Sequence, residues 1–416
     1  MKNIPLPTKA TPWGISQSVG NAVNSRDNSL IKYVEFNITG RCEGGCITCL
    51  TPDTYLDEKA VKTVDDLTYE FEKFKDMLRK LKKFGLEFLT IYGREPTLWD
   101  KEADEPNKFL KDLISWASID LDVRVCLATS GLSLEESVVR TLFDNRGILF
   151  MKNWGGKKSI ERLMKNRNAH ARIQRSWKLV KGIRKNYKKT KVLAEFLYAG
   201  INRADLLPFW EDSLKNGIFP FVEVPVIKGL CSRNYKKLNI NPEQYVKDIY
   251  NLSILNLSLL YGLTEEEAKK TDIWEPPYGS VFPLPCDKLT KGKSLFLQRD
   301  GSLSICSGIP IEVGNIEDRD IETKLNDSIL VRKVRVIYDN LEGLCSRCDY
   351  SSKLNVCYGC RGNGYTYETE TQGVFGEDPM CFGVMAVKMG STKVKEFMSE
   401  KHVRKVMNYF GGGNGN

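Results

Sequence analysis

From residue 30 onward, short apolar runs rich in β-branched and aromatic residues alternate with stretches whose apolar positions recur every three or four residues. The runs YVEFNIT (33–39), FLTIYG (88–93), VRVCLAT (123–129), ILFMKN (148–153), VLAEFLYA (192–199) and FVEVPVI (221–227) predict strands. Between the first two, Leu67, Phe71, Phe74, Leu78 and Leu81 fall on one face of a helix, and further helices fit residues 106–117, 134–144, 171–187 and 203–216. Six strand–helix repeats predict an α/β fold with a parallel sheet curled as a partial (β/α)6 barrel, whose chemistry is expected at the C-terminal ends of the strands. Four loops share that rim: ITGRCEGGCITCLTP after the first strand, YGREPT after the second, TSG after the third and KGLCSRN after the sixth. Residues 235–280 read as a mostly helical connection ending in WEPPYGSVFPLP. The stretch from Cys286 to Cys381 is turn-rich and too irregular for a hydrophobic core of its own. Residues 386–410 read as a basic helix ahead of a frayed GGGNGN.

Length and composition narrow the class. A chain of 416 residues with 41% hydrophobic content can fill two domains, or a barrel with an appendage. With no run of eighteen apolar residues and no apolar signal core in MKNIPLPTKATPWG, a soluble cytoplasmic protein without a membrane anchor is expected. In a reducing compartment, twelve cysteines argue for metal or redox chemistry over a disulfide framework. The only histidines, His170 and His402, are too few for histidine metal sites or Ser-His and Cys-His pairs. Charge is uneven: residues 151–190 hold fourteen Lys and Arg against Glu161 alone, a net +13 that leaves −4 for the remainder. That stretch is either a solvated helix face or a surface for a polyanionic partner.

Cys42, Cys46 and Cys49 follow the first strand with C-x3-C-x2-C spacing. Three thiolates are one short of a closed zinc site or a fully cysteine-held cluster, so the loop either borrows a distant fourth ligand or leaves one iron open. Here the chain resembles the radical S-adenosylmethionine (radical SAM) superfamily. The resemblance implies that Cys42, Cys46 and Cys49 hold a [4Fe-4S] cluster whose fourth iron is chelated by S-adenosylmethionine (AdoMet). One electron then cleaves the cosubstrate to methionine and a 5'-deoxyadenosyl radical. GREPTL, from Gly93 to Leu98, is similar to the family's GGEP segment, which implies cofactor contacts for Gly93, Arg94, Glu95 and Pro96, with Ser130 of the TSG loop joining them. Three departures stand out: Thr48 where an aromatic residue is usual, Arg94 in place of a glycine, and Lys152-Asn153-Trp154-Gly155 where many relatives carry SLDG.

Further on, Cys286 and Cys306 fit C-x14-G-x4-C through Gly301, Cys345, Cys348, Cys357 and Cys360 run C-x2-C-x8-C-x2-C, and Cys381 follows. This is similar to the seven-cysteine SPASM extension, although the x8-C-x2 interval departs from the more usual x5-C-x3. The resemblance implies two auxiliary [4Fe-4S] clusters, one on Cys286, Cys306 and Cys360, the other on Cys345, Cys348, Cys357 and Cys381. The residues alone also allow a zinc ribbon on the two C-x2-C pairs. The resulting division is an N-terminal extension (1–30), a radical SAM partial barrel (31–234), a linker (235–285), a SPASM domain (286–385), and a C-terminal helix and tail (386–416).

Cys126 reads as a small core residue. Cys231, past the last barrel strand, is a candidate catalytic hydrogen-atom donor, a missing ligand of the first auxiliary cluster, or a loop thiol without a role. Glu195 and Tyr198 line the cavity or the core; alternation does not phase them. The family resemblance implies a ribosomally made precursor peptide as substrate, changed by crosslinking, epimerisation, oxidation or backbone excision. It also implies a separate small leader-recognition protein and an electron donor such as flavodoxin or ferredoxin. A small molecule, sugar or RNA is the alternative substrate, and a non-enzymatic zinc-ribbon protein the alternative of another class. Trp154, Trp177 and Tyr187 are few stacking residues for a nucleotide groove, which disfavours nucleic acid.

Overall fold

The computed structural model describes residues 29–50, 62–271, 292–352, 357, 359–367 and 372–411. The N-terminal extension to residue 28, the Pro-rich WEPPYGSVFPLP, Cys286 and the last five residues of GGGNGN lie outside the described residues.

Each predicted apolar run overlaps a strand: β1 Tyr33–Asn37, β2 Phe88–Tyr92, β3 Arg124–Thr129, β4 Ile148–Lys152, β5 Lys191–Leu197 and β6 Phe219–Glu223. All six are parallel and neighbour one another in chain order. The sixth begins two residues before its predicted run and ends four before the run does. Pro220 is tolerated because β6 is an edge strand, where a missing N–H costs little. The crossovers carry α1 Val64–Lys83, α2 Lys108–Ile119, α3 Glu136–Asp144, α4 Lys157–Met164, α5 Ala169–Arg184 and α6 Leu206–Lys215. On α1, Leu67, Phe74, Leu78 and Leu81 are buried, and the Phe74 ring meets Phe36 of β1 at 4.8 Å and Trp99 at 5.1 Å. Tyr33, an odd number of positions from Phe36 along the strand, faces the other way, into the barrel, where it stacks on Phe88 and hydrogen-bonds Thr90.

The C-terminal region is more regular than its sequence pattern predicts. β7 Ser294–Leu297 pairs in parallel with the free edge of β1, and β8 Ser302–Cys306 and β9 Ile309–Asn315 continue antiparallel, extending the sheet to nine strands among the described residues. These short strands take their hydrogen bonds from an edge that exists only once the barrel has assembled, so no local period announces them. Their apolar residues join the same core as the barrel. After β6 come α7 Leu230–Asn234 and α8 Pro242–Tyr261, the helical connection expected there. The expected continuous basic helix over 386–410 is instead Phe382–Met389, a turn at Ser391–Val394 and Glu400–Gly411, interrupted at Gly390, whose φ is +81°.

Asp100, 1% exposed, sits at the rim and acts as a remote cap for α2, accepting the N–H groups of Phe109 (2.6 Å) and Leu110 (3.3 Å). Burial pushes its carboxyl up to about 6, although those N–H groups pull it back. The unfolded value lies near 3.9, so between roughly pH 4 and 6 the folded chain binds more protons and stability falls as pH rises. Asp100→Asn is expected to remove this component. In urea denaturation, the stability of the variant relative to wild type should rise across that window, and parallel profiles would count against it.

Candidate active site

The three-cysteine loop crosses the C-terminal end of β1. Cys46 is buried, while Cys42 and Cys49 are partly exposed. Gly44 sits between the first two: its N–H lies 3.3 Å from Cys42 Sγ, and a Cβ there would stand 3.1 Å from Cys46 Sγ and 3.5 Å from Cys42 Sγ. The glycine thus leaves a cradle with two thiols on its wall. Burial raises the Cys42 thiol, reinforced by Glu95 and opposed by the Gly44 N–H, Lys152 and Arg94; burial likewise pushes Cys46 up to about 12, against the pull of Lys152. Deprotonating these thiols therefore needs a metal or a cation beside them. Among the described residues, no three His, Cys, Asp or Glu side chains converge as they would on a single metal ion.

The GREP segment runs against this loop. Arg94 N–H donates to the Thr39 carbonyl (3.2 Å) and Glu95 N–H to that of Arg41 (3.0 Å), while Pro96 opens a 3-10 turn through Leu98. A Cβ on Gly93 would come within 3.2 Å of the Thr39 carbonyl, which explains the glycine. The Glu95 side chain, 0% exposed, is turned inward, accepting from Thr97 Oγ1 (2.7 Å), Thr129 Oγ1 (2.5 Å), the Ser130 N–H (2.8 Å) and the Ser130 hydroxyl. Glu95 and Ser130 are thus engaged with each other and lock the ends of β2 and β3 together. Three buried polar atoms at this rim have no protein partner, Asn37 Oδ1, Thr48 Oγ1 and Arg94 Nε, so a polar molecule seated here would find unfilled donors and acceptors.

The ladder registers phase what alternation leaves open. Lys152 of β4 stands opposite Glu195 of β5. Burial opposes the Lys152 ammonium, yet Glu195 and the Cys46 thiol, with Tyr92 and Cys49, outweigh it and hold its pKa above the lysine range. Trp154 covers the pair, its Nε1 3.3 Å from Glu195 Oε1 and its ring 4.9 Å from Lys152 Nζ. The departure from SLDG therefore supplies a cation facing the thiols. Tyr198 instead bonds Asp248 (2.8 Å) and packs on Tyr245 of α8, outside the barrel interior. Cys231 is fully buried on α7. Its N–H donates to the Cys49 carbonyl (3.0 Å), and burial, with Cys49 nearby, pushes its thiol up to about 12.

The C-terminal thiols fall into two neighbourhoods. Cys345, Cys348, Cys357 and Cys381 are buried, and burial raises all four thiols, with Cys345 adding to the rise at Cys348, Cys357 and Cys381. Burial raises the Cys360 thiol, and Asp378, Cys306 and Glu223 at the end of β6 add to it. Lys228, whose Nζ donates to the Ser307 carbonyl (2.8 Å), fixes the β6 loop against this second neighbourhood.

The helix α4 does not stand out in the chain's periodicity, although Ile160, Leu163 and Met164 mark its buried face. It braces the cysteine loop: Ile47 N–H donates to the Leu163 carbonyl (2.8 Å) and Asn166 Nδ2 to that of Glu43 (3.3 Å). Arg172 of α5 grips the Glu43 carboxylate with both guanidinium nitrogens. Part of the basic stretch is thus structural, while Lys157, Lys158, Arg162, Arg175 and Lys178 stay exposed. Arg175 and Lys178 line a groove of about 700 Å³ between α3 and α5.

Glu95→Ala is expected to leave the buried donors of Thr97, Thr129 and Ser130 unpaired, each at about 1–3 kcal/mol. The unfolding free energy from urea titration should fall by about 3 kcal/mol or more. An unchanged midpoint and slope would mean that the carboxylate does not hold the two strand ends.

Comparisons with known proteins agree with this geometry. Residues 36–205 match the radical SAM superfamily. Native anSMEcpe with bound AdoMet and Cp18Cys peptide has a similar structure, with a TM-score of 0.57 at 15% identity over 90% of this chain and 98% of that one. Native anSMEcpe with bound AdoMet (TM-score 0.57, 14%) and with AdoMet and Kp18Cys peptide (0.56, 15%) is similar over the same shares of both chains. At such identity the likeness is one of fold. No curated protein sequence matches the chain. The parallel barrel and the three thiols at its rim thus lie within or beside the segment, β1 to β5, over which residues 36–205 are similar to the radical SAM superfamily.

Proposed function

We propose that the chain is a radical SAM enzyme that modifies a ribosomally made peptide in the cytoplasm, with two auxiliary clusters in its C-terminal region. The observation that carries the reading is the three-thiol loop at the barrel mouth, beside unpartnered polar atoms and the Lys152 cation. When bound, a [4Fe-4S] cluster on Cys42, Cys46 and Cys49 supplies the electron that cleaves AdoMet. The chain's own residues orient and exclude. The GREP backbone fixes the strand end against the cysteine loop, Lys152 offsets thiolate charge, and α4 and Arg172 hold the loop closed from outside.

A peptide substrate is supported by the fold shared with anSMEcpe, which has been solved with AdoMet and peptide together. The exposed basic residues of α4 and α5 suit an acidic leader segment or an acidic carrier protein that presents it. A flavodoxin or ferredoxin would deliver the electron. Cys306 and Cys360, with Cys286 outside the described residues, would hold the first auxiliary cluster, and Cys345, Cys348, Cys357 and Cys381 the second. The bond from Cys231 N–H to the Cys49 carbonyl supports a candidate role for Cys231 as hydrogen-atom donor or as a ligand of the first auxiliary cluster.

Two experiments test this reading. Anaerobic reconstitution should give about twelve irons per chain, three four-iron units. Replacing Cys42, Cys46 and Cys49 together with Ala should remove about four of them and abolish 5'-deoxyadenosine formation. A value near four in the wild type, with zinc bound, would reduce the C-terminal cysteines to a structural ribbon. In the second, reversing Lys157, Lys158 and Arg162 to Glu should raise the KM for peptide several-fold and weaken its salt dependence, because exposed charges are screened beyond about 8 Å at physiological ionic strength. Peptide-independent 5'-deoxyadenosine formation should stay unchanged; equal loss of both would place these cations in support of the barrel.

A further inference from the structure

Arg361 and Asp378 are charged side chains buried to 1% and 0% exposure in the C-terminal region, and the barrel mouth has no use for them. Arg361 follows Cys360 in the chain, yet its Nη2 reaches toward Cys345 Sγ of the other thiol group, at 3.8 Å. Asp378 shows the converse arrangement. It lies three residues before Cys381, and its own N–H donates to Cys345 Sγ (3.3 Å), but its carboxylate accepts the Cys360 N–H at 2.8 Å. Each residue is thus joined covalently to one thiol neighbourhood and non-covalently to the other.

The surroundings hold this crossing in place. Arg361 Nη1 donates to the Gly376 (2.5 Å) and Val374 (3.3 Å) carbonyls, and the Asp378 carboxylate also accepts from Asn363 Nδ2 (3.3 Å) and the Met380 N–H (3.0 Å). Gly359, at φ +68°, makes the room: a Cβ there would stand 2.8 Å from both Arg361 Nη2 and Asp378 Cβ. Arg361 Nε is buried with no protein acceptor. Placing two charges in such a dry site is unfavourable before compensation, and apolar side chains would pack there without that penalty. Their positions at sulfur ligands give them electrostatic work to do.

We propose that Arg361 and Asp378 link the two auxiliary cluster sites and set their relative reduction potentials, Arg361 raising that of the Cys345 site and the Asp378 carboxylate lowering that of the Cys360 site. The proposal rests on the reading that both thiol groups hold iron–sulfur clusters. Reduction adds negative charge to a cluster. A cation and N–H donors aimed at a sulfur ligand stabilise that charge, and a buried carboxylate opposes it. Low local dielectric strengthens both effects. The two sites then differ in potential because of residues that ligate neither.

The test uses the full chain, reconstituted anaerobically, in four forms: wild type, Arg361→Gln, Arg361→Lys and Asp378→Asn. Iron content is measured first, then an EPR-monitored redox titration. The expected result is about twelve irons in each form, with one auxiliary signal shifted to lower potential in Arg361→Gln. A tenfold change in its reduced-to-oxidised ratio is about 59 mV for one electron. Arg361→Lys should recover most of the shift, and Asp378→Asn should move the other auxiliary signal upward. Potentials unmoved in both charge-removing variants, or Arg361→Lys shifted as far as Arg361→Gln, would overturn the proposal. Should Arg361→Gln lose iron, Asp378→Asn decides: an upward shift supports the link, while an unmoved signal or a second loss of iron makes the pair a structural brace and overturns it. Wild-type protein with only about four irons would instead remove the cluster reading itself.

Discussion

The pairing of β1 on both of its edges, with β2 on one side and β7 on the other, is the constraint from which the site follows. The first pairing delivers the GREP backbone to the three-cysteine loop, because both segments leave the sheet at adjacent strand ends. The second fastens the C-terminal region to the same strand, so that Ser307 and Gly308, in the turn between β8 and β9, meet the loop after β6 at Lys228 and Val226. A region with little capacity for a core of its own is stabilised by sharing the barrel's.

The thiols occupy positions that disfavour their charged form. Burial raises Cys46, Cys231, Cys348 and Cys360, and at Cys46 the Lys152 cation only partly offsets it. Such sites gain most from metal, since binding supplies the positive charge that desolvation removed. Lys152 at the barrel mouth and Arg361 between the C-terminal thiol groups repeat one arrangement, a cation held beside buried sulfur. Glu95 serves differently, spending all its acceptor capacity on Thr97, Thr129 and Ser130, so that its role is to shape the rim.

Much of the barrel is legible along the chain. The apolar runs, the α1 stripe from Leu67 to Leu81 and the cysteine spacing are local patterns with periods of two, three or four residues, and the elements they mark are present. The sixth strand slips because Pro220 is acceptable only at a sheet edge, a property of the assembled sheet. The helix α4 hides in a basic stretch whose charges mask three apolar residues. The break at Gly390 is a matter of one left-handed residue inside an otherwise helical pattern.

By itself, then, the sequence determined the strand–helix alternation and the likeness to the radical SAM superfamily, since these depend on residue types at short spacing. Tertiary structure alone decided the edge that β7 joins, the inward turn of Glu195 and outward turn of Tyr198, the placing of Lys152 before the cysteines, and the crossing of Arg361 and Asp378 between two thiol groups. Each of these depends on which strand lies beside which and on which charges are driven together when water is excluded, and neither quantity is written in the spacing of residues along the chain.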